Sequence, residues 1–228
     1  MAATRTTTDT VMTRGARAST TPSALRQSGG ALGPRAQRTI ARIVEATREV
    51  FLTRGYSGTT IDEIARIAEV SRASFYTYFP SKREVLLALG AHDASESMAV
   101  IDRLAGSGTT RASLTEWVAE YFEFLDVHGS FSLAWTQAAQ EDETIRATGM
   151  KGHLRICRKL GSTLAETAGR TAEDPAVLGL VAASLLERSW NFSQLYFDTI
   201  DRSAVIAQSA QALWGAVRQL PLTANGTA

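Results

Sequence analysis

Five polar side chains in the stretch VSRASFYTYFPSK, Val70 to Lys82, stand close enough to act on one partner: Arg72, Ser74, Tyr76, Thr77 and Tyr78. Their chemistry suits the base edges and backbone of a DNA duplex. An arginine guanidinium donates two parallel bonds to guanine O6 and N7, serine and threonine hydroxyls take either role, and a threonine methyl meets a thymine methyl. Tyrosine hydroxyls donate to phosphate oxygens, contacts that fix position rather than read sequence. On a helical wheel at 100° per residue, Phe75 and Phe79 share one face. Ala73, Ser74 and Thr77 share the other, with Tyr76 at its edge and Arg72 reaching out near the first turn. The wheel therefore predicts two core anchors behind a small, hydroxyl-bearing face. Plainer roles stay open at this point: Tyr78 packed against Ile61 or Leu86, Tyr76 in the core, Arg72 as a solvated charge, Thr60 as no more than a cap.

The surrounding sequence must build elements that hold this face outward. From Arg38, apolar residues Ile40, Ile43, Val44, Val50 and Phe51 recur at helical steps, and Gly55 supplies a stop. TTIDE offers Thr60 as N-cap with Glu63 three residues on, a capping box. Ser71 caps a brief third helix, which Pro80 ends by disfavouring helical geometry at Phe79. Ser81, with Glu84 reaching back, opens a long helix through Val85, Leu86, Leu89 and Ile101. Thr60 and Lys82 thus stand at the starts of the second and fourth helices, where backbone N–H groups and the dipole favour a phosphate. Helix, tight link and an outward second helix make a helix-turn-helix.

Beyond GSGTT at 106–110 every segment again reads as helix. A stripe of Leu114, Trp117, Val118, Tyr121, Phe122 and Leu125 closes near Gly129, and a short piece covers 131–139. A longer one covers 141–168, where Gly149, Gly152 and Gly161 suggest a break. Asp174-Pro175 starts a nearly all-apolar segment at 176–197, and a last helix spans 201–220. No strand alternation is found. The expected fold is all-α with about nine helices: a disordered basic tail at 1–35, a helix-turn-helix domain at 36–80, a connecting helix at 81–105, a ligand-binding and dimerisation domain at 106–220, and a tail at 221–228.

The totals narrow the function. Net charge is +1, but residues 1–90 carry 13 Lys/Arg against 7 Asp/Glu, whereas 91–228 carry 11 against 16. A basic front on an acidic remainder suggests that only the front meets a polyanion. One cysteine, Cys157, rules out an internal disulfide and a cysteine-based zinc site. His92, His128 and His153 are scattered singly, without metal-ligand spacing. There is no glycine-rich phosphate loop and no GxSxG, so neither an enzyme nor a cofactor is expected. No apolar run approaches the roughly 20 residues of a membrane span.

RTIARIVEATREVFLTRGYSGTTIDEIARIAEVSRASFYTYFPSKREVLLALG resembles the N-terminal DNA-binding region of the TetR family of bacterial transcriptional regulators, over about residues 36–90. The resemblance places Ser71, Arg72, Ala73, Ser74, Tyr76, Thr77 and Tyr78 at recognition-helix positions, and Thr60 and Lys82 at phosphate-contacting ones. Phe75 stands where leucine is usual, and Ser74 where glycine or threonine is common. The long basic tail is a larger departure. Its arginines, Arg5, Arg14, Arg17, Arg26 and Arg35, are placed to follow the backbone or a minor groove, as flexible arms do. The implied protein is a cytoplasmic repressor that binds a palindromic operator.

One short recognition helix reads too few bases to find a single site, so a homodimer is expected. Its interface is assigned to the last two helices through Leu185, Leu186, Val205, Leu213 and Trp214. Trp117, Tyr121, Phe122, Phe131, Trp135, Trp190 and Tyr196 give more aromatic surface than a bundle needs to close. In this family such residues line an effector cavity, which points to a small apolar ligand. Ordinary core packing explains any one ring equally well. The competing class is a helical carrier module that does not regulate through DNA.

Overall fold

The computed structural model describes residues 33–107 and 110–222, so the expected tails lie, but for a few residues, outside the described chain. Eight helices and no strand occur among the described residues: α1 (Pro34–Gly58), α2 (Ile61–Ile67), α3 (Arg72–Tyr78), α4 (Lys82–Gly106), α5 (Arg111–Glu141), α6 (Glu143–Thr167), α7 (Pro175–Leu195) and α8 (Arg202–Arg218). α1 opens at Pro34, four residues before the apolar period begins, because a proline at the first helical position gives up an N–H that has no helical partner anyway. Side-chain caps set the other starts. Thr60 accepts from the Glu63 N–H, Ser71 from Ser74, Ser81 from Glu84 and Thr110 from Ser113, at 3.0–3.3 Å.

Two expected interruptions are absent. α5 runs straight through Gly129, and α6 through Gly149, Gly152 and Gly161. The glycines serve packing instead of punctuation. A Cβ on Gly129 would run into the Trp190 ring, and one on Gly149 into Trp135. Gly161 and Gly179 let α6 and α7 approach backbone to backbone, since a Cβ on either would strike main-chain atoms of the other helix. Merging the two expected pieces into α5 gives eight helices where nine were expected.

There are two apolar cores. The body core joins α4, α5, α6, α7 and α8 through residues such as Ile101, Trp117, Phe122, Leu160, Leu186 and Leu213. The head core joins α1 to α4 through Ile43, Phe51, Ile64, Phe75, Phe79 and Leu86. It also takes Ala134, Ala138 and Ala139 from α5 and Ile145 from α6, so the body supplies one wall of the head.

Candidate nucleic-acid interface

α3 is seven residues long and is fixed from behind. Phe75 and Phe79 are 0% exposed, with ring centroids 6.1 Å apart. Burying two such rings contributes several kcal/mol, enough to hold a helix too short to be stable alone. On the other side Ser71, Arg72, Ala73, Tyr76 and Thr77 are exposed, and Ser74 and Tyr78 are half-buried. Tyr78 packs against the head core, and Tyr76 sets its ring edge-on to Phe75 at 5.8 Å. The Thr77 hydroxyl donates to the Ala73 carbonyl at 3.0 Å and keeps its lone pairs free.

Arg72 is not a loose charge. Its guanidinium is paired with Asp62 of α2 and donates to the Tyr76 hydroxyl at 3.3 Å, with its Cζ atom 5.5 Å from the Tyr76 ring centroid. The Asp62 hydrogen bond pushes the guanidinium pKa further up, so the charge is permanent. A duplex must compete with Asp62 for it. Lys82 is turned inward: its ammonium donates to Tyr56 O at 2.8 Å and Thr59 O at 3.1 Å, 4.5 Å from the Tyr56 ring centroid, and burial lowers its pKa. It closes the end of α1, while Thr60 remains exposed at the start of α2.

Sequence reasoning missed two charges beside α3. An open groove is lined by Arg35, Arg38, Thr39 and Arg42 of α1 together with Glu69, Val70, Ser71 and Ser74. Arg42 is held there by Glu69 at 2.7 Å. The signal was available in the spacing: three arginines at steps of three and four occupy one polar face of α1, and only Arg35 had been counted, with the tail.

The last turn of α1 is shaped by the body. Gly55 has φ +65°, a left-handed conformation that favours glycine, and the kink frees the Tyr56 N–H. Gln137 of α5 accepts that N–H through Oε1 at 2.7 Å. Deeper in, Arg48 of α1 is buried against Asp93 of α4, donating from Nη1 to Oδ2 at 3.2 Å and from Nη2 to Oδ1. The His128 ring of α5 joins them, with Nδ1 2.9 Å from Asp93 Oδ1, and stacks on Phe124 at 4.6 Å.

The seven aromatics expected around one cavity are divided by the structure. Trp117, Tyr121, Phe122 and Trp190 are buried in the body core, Phe131 and Trp135 pack on the head core, and Tyr196 is 47% exposed. Tyr196 stacks on Phe192 at the outer end of α7 and so lines no interior space. A small cavity of about 10 Å³ at the far end of the bundle is lined by others, including Leu104, Leu114, Leu164 and Trp214. Half-buried Glu187 of α7 accepts from Ser132 Oγ at 2.6 Å, and desolvation pushes its carboxyl up. Burial likewise raises the Cys157 thiol to about 11, which leaves it inert at neutral pH.

The structure divides the expected dimer residues. Leu186 and Leu213 are 0% and 4% exposed within one chain, so they belong to its own core. Leu185, Val205 and Trp214 are half-buried against that core. The free apolar surface of α7 lies one step round the helix, at Val177, Leu180, Val181, Phe192 and Leu195, and continues to Phe197 and Ile200.

An all-helical chain with a buttressed, outward third helix and a basic first helix is built as a helix-turn-helix DNA-binding protein. Residues 43–89 match the model of the bacterial regulatory proteins, tetR family. It is 28% identical over 196 residues to the transcriptional activator FasR of Mycolicibacterium smegmatis, covering 83% of this chain and 87% of that one. It is 27% identical over 122 residues to the transcriptional regulator YuxN of Bacillus subtilis, a match spanning 49% of this chain but only 42% of YuxN. The fatty acid degradation regulator FadR of Bacillus halodurans shares the fold, with a TM-score of 0.63 at 20% identity over 83% of this chain and 99% of that one. None of the described helices is long and apolar enough to cross a membrane.

Proposed function

We propose that this chain is a cytoplasmic transcriptional regulator that binds a palindromic operator as a homodimer and releases it when a small, mainly apolar effector occupies the helical body. The observation that carries the reading is the outward face of α3, held by two fully buried phenylalanines beside the arginine groove of α1. Ser71, Arg72, Ala73, Ser74, Tyr76 and Thr77 are the surface offered to base edges and nearby phosphates, with Thr60 as a flanking phosphate contact. Arg35, Arg38 and Arg42 add backbone attraction. Lys82 acts by fixing the geometry between α1 and α4. The direction proposed is repression. FasR is named as an activator, and a reporter assay decides between the two directions.

The test is a gel shift with the intergenic DNA upstream of the protein's own gene. The expected result is a discrete complex that survives an excess of unrelated DNA. Arg72→Ala should weaken it roughly ten- to hundredfold, and mainly for the specific fragment. Equal affinity for upstream and unrelated DNA of the same length would remove the regulator reading and leave the helical carrier module.

A further inference from the structure

Two of the arginines beside the reading face of α3 are held by acids. Arg72 is paired with Asp62 of α2, and Arg42 of α1 donates from Nη2 to the Glu69 carboxylate at 2.7 Å and to the Glu69 carbonyl at 3.2 Å. Stability does not account for them. The Asp62 and Glu69 side chains are 69% and 84% exposed, and ion pairs so open to water contribute little to a fold. Glu69 also occupies the link between α2 and α3 at φ +48°, a left-handed conformation that favours glycine. The link is built more easily without that carboxylate. Arg35 and Arg38 line the same groove as Arg42, yet among the described residues neither has a carboxylate oxygen within 4.0 Å.

A guanidinium carries five N–H donors and one charge. Arg72 uses one N–H of Nη1 on Asp62 and one of Nη2 on the Tyr76 hydroxyl at 3.3 Å. Three N–H groups remain, and a guanine edge takes two. The charge, by contrast, is already answered. A phosphate draws an arginine mainly through charge, so a duplex offering only its backbone finds less to attract it. A guanine edge is neutral and asks for N–H groups, which Asp62 leaves in place. Held at both Nη atoms, the guanidinium plane is also fixed. Asp62 therefore takes more from binding to DNA in general than from binding to the right base.

We propose that Asp62 is a specificity-determining residue of the DNA-reading face: it cancels the phosphate attraction of Arg72 while leaving base-reading N–H groups free, and Glu69 restrains the charge of Arg42 in parallel. This rests on the operator-binding reading above and names what sets its discrimination. Unrestrained backbone attraction is left to Arg35 and Arg38.

The test is a series of gel shifts across a range of salt, using full-length protein on the upstream intergenic fragment and on an unrelated duplex of the same length. Asp62→Asn keeps an oxygen beside Arg72 and removes the charge. It should bind unrelated DNA roughly three- to tenfold tighter near 0.1 M salt, with a salt slope steeper by about one. The upstream fragment should gain less, so the ratio of the two affinities falls. In an Arg72→Ala background the same substitution should give no gain, whereas a general loss of negative charge would still give one. Glu69→Gly should also tighten binding to unrelated DNA, with a melting temperature no lower than the parent's, because glycine takes this φ without strain. Unchanged affinity for unrelated DNA in Asp62→Asn, an unchanged ratio, or a gain that survives Arg72→Ala overturns the inference and leaves the regulator standing. A Glu69→Gly protein that melts lower and binds unrelated DNA no tighter strikes Glu69 from it. A parent protein that binds both duplexes equally sinks the regulator reading, and this inference with it.

Discussion

Arg48, Asp93 and His128 are separated by 45 and 35 positions in the chain and meet at one buried point between head and body. A buried pair of this kind contributes little net stability over an apolar replacement, but breaking it leaves a charge stranded. Asp93→Asn should therefore destabilise the protein by about 3–5 kcal/mol, read as a lower urea midpoint. Pairing it with Arg48→Met should recover much of the loss. Nothing in the sequence singles out this set, because three polar residues on three helices carry no shared spacing, and His128 stands there as one of three scattered histidines. The residues of α3 were legible for the opposite reason. Phe75 and Phe79 lie four apart on one helix, so their common face follows from the helical period alone. The role of Lys82 was not legible, since its partners are carbonyls at the end of another helix.

Helix starts were readable wherever a hydroxyl or carboxylate preceded an apolar run, and Thr60, Ser71 and Ser81 each accept the N–H expected of a cap. Glycines misled, because a sequence does not say whether a glycine ends a helix or admits a neighbour's ring. The same ambiguity affects α7, whose apolar content goes almost all round. Periodicity does not separate the stripe facing its own core from the stripe facing outward, and only the fold assigns Leu186 to the first and Val181 to the second. Val181 is 61% exposed and Leu195 62%, and with Leu180 and Phe192 they leave α7 an apolar strip suited to a second copy. Val181→Arg should accordingly give a folded monomer by sedimentation, with operator affinity reduced by an order of magnitude or more because two half-sites are no longer gripped together. Leu213→Arg should instead lower the melting temperature, since it puts a charge inside the chain's own core.

At the scale of the molecule, the head is not closed by its own sequence. Ala134, Ala138, Ala139 and Ile145 cover one side of the head core from more than forty residues further along the chain. A fragment ending at Gly106 should therefore expose that side. It should show weaker amide-exchange protection in α1 than the intact protein, with α2 and α3 retaining helix only in part. The kink at Gly55 sharpens the point. The amide that finishes the first helix is answered by Gln137, a side chain on the longest helix of the body. Sliding that helix by little more than an ångström would take its glutamine oxygen beyond bonding reach, and the orphaned amide would let the preceding turn loosen. A guest that shoulders aside the body would in this way pull a pin from the hinge that aims the reading head, with no need to touch it.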